Sequence, residues 1–158
     1  MNIEIKSYSE ECLSHLCELF RPYAKETENE ELDEMTVLSI CTGFTKKLGD
    51  KQLLDLLYID GAPAGFAMYQ IDSPEFHWCE KEGYGFIREM YINPDYRKKG
   101  FGKKLAEHAE NVLNNLHVPH IYLTSSNNDF WTALGYVETG EICERNNCPI
   151  FIKQLEKR

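Results

Sequence analysis

Apolar residues recur along this chain with two periods, and each period predicts an element. Phe101, Leu105, Ala109, Val112, Leu113 and Leu116 fall at i, i+4, i+8, i+11, i+12 and i+15, one stripe of a long helix beginning near Gly100. The run before it, Ile87-Arg88-Glu89-Met90-Tyr91-Ile92, holds neither glycine nor proline and is dominated by apolar and β-favouring residues, which predicts a strand. Asn93-Pro94-Asp95 divides the two as a turn, because proline brings no ladder donor and Asx residues favour turns.

Upstream, Ile3-x-Ile5 alternates as a short strand. Leu13, Leu16, Cys17 and Phe20 form a helical stripe with Ser9 placed to cap it and Pro22 just beyond its end. Leu32, Met35, Leu38 and Cys41 carry a second helical period to about Gly43 or Gly49. Residues 53–59 and 64–71 are strand-like and joined at Asp60-Gly61, a strong hairpin signal. The polar and aromatic stretch 72–84 has the length of a functional loop, with an ordinary surface loop anchored by one aromatic as the plain alternative. After the long helix, residues 119–124 read as a strand and 130–134 as a short helix ended by Gly135. Residues 136–143 and 150–155 form a last strand pair with Asn146-Asn147 in the turn. The order β-α-α-β-β-β-α-β-α-β-β makes one mixed α/β domain over residues 1–158.

Charge then singles out one place. The chain carries a net charge of −9, yet five of the eight residues from Arg97 to Lys104 are basic. A glycine loop entering a helix N-terminus offers unpaired N–H groups and the positive end of the helix dipole. Gly100 and Gly102 keep side chains away from whatever docks there. The loop is a candidate cradle for a pyrophosphate. It is not a Walker loop, since position 97 lacks the glycine and Lys104 stands where Ser or Thr belongs. Leu105 occupies the third glycine position of a dinucleotide fingerprint.

Arg97-x-x-Gly100-x-Gly102, preceded by Glu89-Met90-Tyr91-Ile92 and the Asn-Pro turn, resembles the acetyl-coenzyme A loop of the GNAT superfamily of N-acetyltransferases. Ile121-Tyr122-Leu123-Thr124 followed by Phe130-Trp131-x-x-Leu134-Gly135-Tyr136 is similar to that family's later strand, short helix and strand entry. The resemblance implies an α/β (mixed α+β) fold, a mostly antiparallel central sheet flanked by helices on both faces. It implies that the backbone of Met90, Tyr91 and Ile92 pairs with the pantetheine arm of acetyl-CoA. The pyrophosphate would sit on the amides of Lys98, Lys99, Gly100, Phe101, Gly102 and Lys103, with Arg97 at the entrance. Asn127 and Phe130 are the corresponding cofactor contacts further on. Glu89 matches the strand carboxylate that serves as general base, and Tyr91 is a second catalytic candidate, through its N–H near the carbonyl or its phenol as acid. The family's usual general acid is a tyrosine after the short helix's phenylalanine, and here Trp131 stands instead. An indole N–H donates a hydrogen bond but delivers no proton to a thiolate. Tyr91, Tyr136 or water would then serve, or the thiolate would leave unassisted.

The expected activity is transfer of acetyl from acetyl-CoA to a primary amine by direct attack. The alternatives are a non-catalytic acyl-CoA-binding domain, which Trp131 motivates, and transfer of a larger acyl group. Net charge −9 argues against nucleic acid and favours a cationic small molecule. Glu26 to Glu34 carries six acids and no base. It reads as a solvated face, or as steering for such a substrate. No apolar run approaches the roughly 20 residues of a membrane helix, and Met1 to Lys6 lacks a secretion signal's pattern. A soluble cytoplasmic protein without a membrane partner is therefore expected, and the resemblance adds the homodimer as a common arrangement. The six cysteines lack the spacing of a metal site and read as thiols.

Overall fold

A computed structural model describes residues 1–156. Its elements follow the expected order. They are β1 (Ile3–Ser7), α1 (Leu13–Glu28), α2 (Glu34–Thr45), β2 (Gln52–Ile59), β3 (Ala62–Ile71), β4 (Gly85–Ile92), α3 (Phe101–Asn115), β5 (His120–Thr124), α4 (Asn128–Ala133), β6 (Val137–Ile142) and β7 (Pro149–Gln154). Short 3-10 turns precede α1 and follow β4. The seven strands form one sheet in the order β1-β2-β3-β4-β5-β7-β6. It is mostly antiparallel, with β4 and β5 as the parallel pair. A parallel pair needs a long crossover, and α3 supplies it.

The chain divides into two compact units, Met1–Met68 with Glu89–Leu105, and Tyr69–Arg88 with Ala106–Arg158. The first buries Leu16 and Leu19 of α1, Val37 and Cys41 of α2, Leu54, Leu56 and Tyr58 of β2, Phe66 of β3 and Tyr91 of β4. The second buries Phe86, Tyr122, Cys143 and Ile150, with Trp78 and Tyr84 packed against them.

Two helices differ from expectation. Pro22 lies inside α1, not beyond it. It forfeits one N–H bond, but burial of Leu19 and Ala24 on either side holds the helix through it. Glu26 and Glu28 therefore belong to α1, and Asn29 in the left-handed region at φ 55° ends it. In α2, Met35 and Leu38 are exposed, while Val37 and Cys41 are buried. A helix that is apolar nearly all round offers more than one phase to a sequence reading. Ser9 makes no side-chain cap bond; it precedes the 3-10 turn. Asp33 does cap α2, accepting from the Thr36 N–H at 2.7 Å.

Gly85 opens β4 in a tight place. A Cβ there would stand 2.8 Å from Leu113 Cδ1 of α3 and 3.2 Å from Ile121 Cγ1 of β5. Gly85→Ala is expected to destabilise by about 1–3 kcal/mol through overpacking, read as a lower denaturant midpoint at unchanged slope.

Candidate active site

The parallel ladder of β4 with β5 pairs Gly85 with Ile121 and Phe86 with Tyr122. Among the described residues that ladder pairs Gly85 and Phe86 of β4 and reaches none of Met90, Tyr91 and Ile92. An unpaired strand edge presents N–H and C=O groups ready for an extended ligand. Its other neighbour comes very close at Gly65, where a Cβ would meet the Tyr91 carbonyl oxygen at 2.5 Å. Only glycine lets β3 approach β4 there without a shift.

The loop that follows has the backbone of an anion cradle. Asn93 Oδ1 accepts from the Asp95 N–H and starts the turn. Lys98 at φ 62° and Gly100 at φ 86° occupy the left-handed region, which successive amides need in order to converge. A Cβ on Gly100 would find open space. The first bond of α3 runs from Lys104 N–H to the Gly100 carbonyl at 3.2 Å. The amides of Phe101, Gly102 and Lys103 therefore have no partner within the helix. Lys98 and Lys99 are exposed, and Lys99 Nζ reaches the Asp95 carbonyl at 3.2 Å. The Phe101 side chain is buried, so its backbone alone faces a ligand.

Arg97 is engaged elsewhere. Its Nε donates to the Ile92 carbonyl at 2.7 Å and its Nη2 to Glu26 Oε2 of α1 at 2.6 Å. The guanidinium lies 5.5 Å from the centre of the Tyr91 ring. The bond to Glu26 raises the Arg97 pKa further. Arg97 thus braces the start of the loop against α1.

Tyr91 is 4% exposed, and its hydroxyl has no hydrogen-bond partner among the described residues. Burial foremost, then the Glu26 charge, raises its pKa. A phenol so placed holds its proton tightly. Glu89 accepts a hydrogen bond from the Tyr23 hydroxyl of α1. Burial and then the Glu89 charge push the Tyr23 phenol far above its ordinary value. Sequence reasoning passed over Tyr23 and Gly65, and read Glu26 only as part of an acidic run and not as the partner of Arg97. Taking Pro22 as a stop left Tyr23 and Glu26 outside the helix, although Phe20, Tyr23 and Glu26 continue its period.

In the second unit, Trp131 is buried and packs edge-on against Phe130 at 4.9 Å and Tyr136 at 5.3 Å. The Tyr136 hydroxyl donates to Glu110 Oε2 at 2.7 Å. Lys153 Nζ holds Glu110 Oε1 at 3.0 Å and the Leu134 carbonyl at 2.8 Å. Tyr136 is thereby hydrogen-bonded within the core. Asn127 is exposed, its N–H donating to Ser125 Oγ at 2.9 Å.

The stretch 72–84 is anchored by a buried carboxyl. Asp72, 2% exposed, accepts from the Tyr122 hydroxyl, Gln70 Nε2 and the N–H groups of Glu80 and Lys81. Trp78 packs edge-on against Phe86 at 5.0 Å.

The family model for the GNAT acetyltransferases matches residues 13–136. The chain belongs to the GNAT acetyltransferase family, and it is an acyltransferase. The spermine/spermidine N(1)-acetyltransferase of Bacillus subtilis (strain 168) is 30% identical over 105 residues, 63% of this chain and 68% of that one. The probable spermine N(1)-acetyltransferase of Bacillus subtilis subsp. natto matches to the same extent. Among solved structures, the PaiA N-acetyltransferase of Thermoplasma acidophilum in complex with coenzyme A superimposes with a TM-score of 0.71 at 20% identity. That match covers 98% of this chain and 100% of the other. An acetyltransferase of Thermus thermophilus gives 0.75 at 15% identity over 98% of each chain. These structural likenesses establish the fold of this family member.

Proposed function

We propose that this acyltransferase acetylates a primary amine with acetyl-CoA as donor. The observation that carries the reading is β4. The ladder with β5 takes in Gly85 and Phe86 and does not reach Met90, Tyr91 and Ile92, and the strand runs directly into a loop with Lys98 and Gly100 in the left-handed region at the start of α3. An extended amide-bearing arm suits the first feature, and a pyrophosphate suits the second. The residues fit the group. The backbone of Met90, Tyr91 and Ile92 would hold the arm, and the amides of Lys98 to Lys103 would hold the phosphates, with Lys98 and Lys103 adding charge. Arg97 would keep the loop in shape through Glu26 and the Ile92 carbonyl. Asn127 and Phe130 remain the further contacts that the resemblance implies.

When bound, acetyl-CoA supplies the thioester that carries the acyl group and the thiolate that leaves. Glu89 is the base that takes the ammonium proton, since only a neutral amine is a nucleophile. The Tyr91 N–H is the candidate donor to the acyl oxygen. The Tyr91 phenol, with its raised pKa, is a donor more than a source of protons. A thiol of ordinary pKa is a fair leaving group without an acid, which suits a chain whose short helix offers Trp131. The acceptor class is supported by the polyamine-acetylating relatives, the net charge of −9 and the acidic run from Glu26 to Glu34. No helix among the described residues is long and apolar enough to cross a membrane. A cytoplasmic location, where acetyl-CoA is at hand, belongs to the same proposal.

Thermal unfolding with and without acetyl-CoA is the first test. A ligand at a hundred times its Kd adds about 2.7 kcal/mol, a rise in Tm of roughly 5–10 °C at this size. No shift at millimolar acetyl-CoA overturns the reading. Trp131 motivates a second reading, an acyl-CoA-binding domain without turnover. Thiol release from acetyl-CoA with spermidine, spermine and a panel of other amines separates the two.

A further inference from the structure

Glu89 is held from α1, by a side chain with little freedom of its own. Tyr23 lies one residue past Pro22, and three rings fix it. It stands edge-on to Phe66 at 5.2 Å and to Tyr91 at 5.7 Å, and tilts against Phe20 at 5.6 Å. Thr27 Oγ1 ties down the Tyr23 carbonyl at 2.8 Å. A ring clamped this way has one direction for its hydroxyl, and that hydroxyl donates to Glu89 Oε2. Its raised pKa means that it donates and does not give up its proton.

We propose that Tyr23 is a positioning residue for the transfer reaction, one that aims the Glu89 carboxyl and favours its ionised form. The inference rests on the reading of Glu89 as the base. A hydrogen bond donated to a carboxylate stabilises the charged state and lowers its pKa. Fixing Oε2 also settles the orientation in which the carboxyl meets the acceptor's ammonium, a requirement as strict as protonation state for proton transfer. Tyr23 thus sets both the pH at which the base is ready and the direction in which it works. Of the charged groups nearby, Glu28 on α1 acts on the Tyr23 phenol beside Glu89, while Glu26 on α1 and Arg97 and Asp95 on the turn after β4 act on Tyr91, the ring edge-on to Tyr23. Replacing the phenol by phenyl leaves every one of them in place.

The test is Tyr23→Phe, which keeps the ring packing and deletes the donor. The midpoint of Glu89 is followed by carboxyl-carbon NMR, with Glu89→Gln to assign the signal. Removing one of the bonds that hold a carboxylate ionised is expected to raise that midpoint by about one pH unit. The acid limb of kcat/KM for spermidine is expected to move up by the same amount, while stabilisation by acetyl-CoA stays unchanged. A residue that merely packs would lower Tm and move neither. An unmoved midpoint overturns the proposal whatever the activity. A midpoint that moves in a protein that neither binds acetyl-CoA nor turns over any amine overturns the functional reading instead.

Discussion

Glu89→Gln is expected to lower kcat/KM for the acceptor amine by about 10²- to 10⁴-fold, the usual contribution of a positioned general base. The substitution is isosteric, and the amide oxygen can still accept from Tyr23, so the corner formed by α1 and β4 should keep its geometry. What is lost is the capacity to take a proton from an ammonium near neutral pH. Coenzyme A affinity, measured by titration calorimetry, should be nearly unchanged, because the proposed cradle consists of backbone amides from Lys98 to Lys103 and leaves Glu89 out. Activity at high pH should recover part of the loss, since an amine that is already neutral needs no base. Wild-type rates across pH would remove Glu89 from the mechanism.

Asp72→Ala is expected to cost about 3–5 kcal/mol of stability, because a whole buried network is lost with the one carboxyl. Four donors converge on it: Gln70 Nε2 at 2.9 Å, Glu80 N–H at 3.1 Å, Lys81 N–H at 3.0 Å and the Tyr122 hydroxyl. Each donor left buried and unpaired costs about 1–3 kcal/mol. The Tyr122 phenol, pushed up by burial and then by Asp72, would lose its acceptor. Chemical unfolding should show a lower midpoint, and heating a Tm lower by roughly 10 °C. A change under about 1 kcal/mol would mean that water replaces the carboxyl, and that the anchor of residues 72–84 lies elsewhere.

Where local chemistry decides the conformation, the sequence was legible. Asp60 at φ 49° and Gly61 at φ 83° make the tight hairpin that their order announces. The stripe of α3 buries Phe101, Leu105, Ala109 and Leu113, and only its end drifts out, with Leu116 exposed. The glycine loop was visible through Gly100, a residue suited to its φ of 86°, while Lys98 at φ 62° gave no such signal. Partners distant along the chain were not legible. Nothing local says that Glu26 meets Arg97, 71 residues on, or that Tyr23 meets Glu89, 66 residues on. Pro22 misled because tertiary packing can carry a helix past a proline when buried residues flank it. Residues 72–84 left a functional loop and a surface loop anchored by one aromatic both open, and what no local pattern announced is the buried Asp72 carboxyl that gathers donors from residues 70, 80, 81 and 122.

Pro22 also deprives the Glu18 carbonyl of the amide that would normally bond to it four residues later, one position before Tyr23. The ladder of α1 is therefore broken into two runs, and cooperativity within the helix is weakest at that seam. The last turns of α1, from Tyr23 to Glu28, hold both the contact to Glu89 and the contact to Arg97, and beyond the seam they are kept in place by the packing of Tyr23 and Ala24 and not by an unbroken ladder. The contact to Glu89 and the brace on the loop therefore depend on the same short stretch of packed helix, so that a substitution loosening it would disturb both.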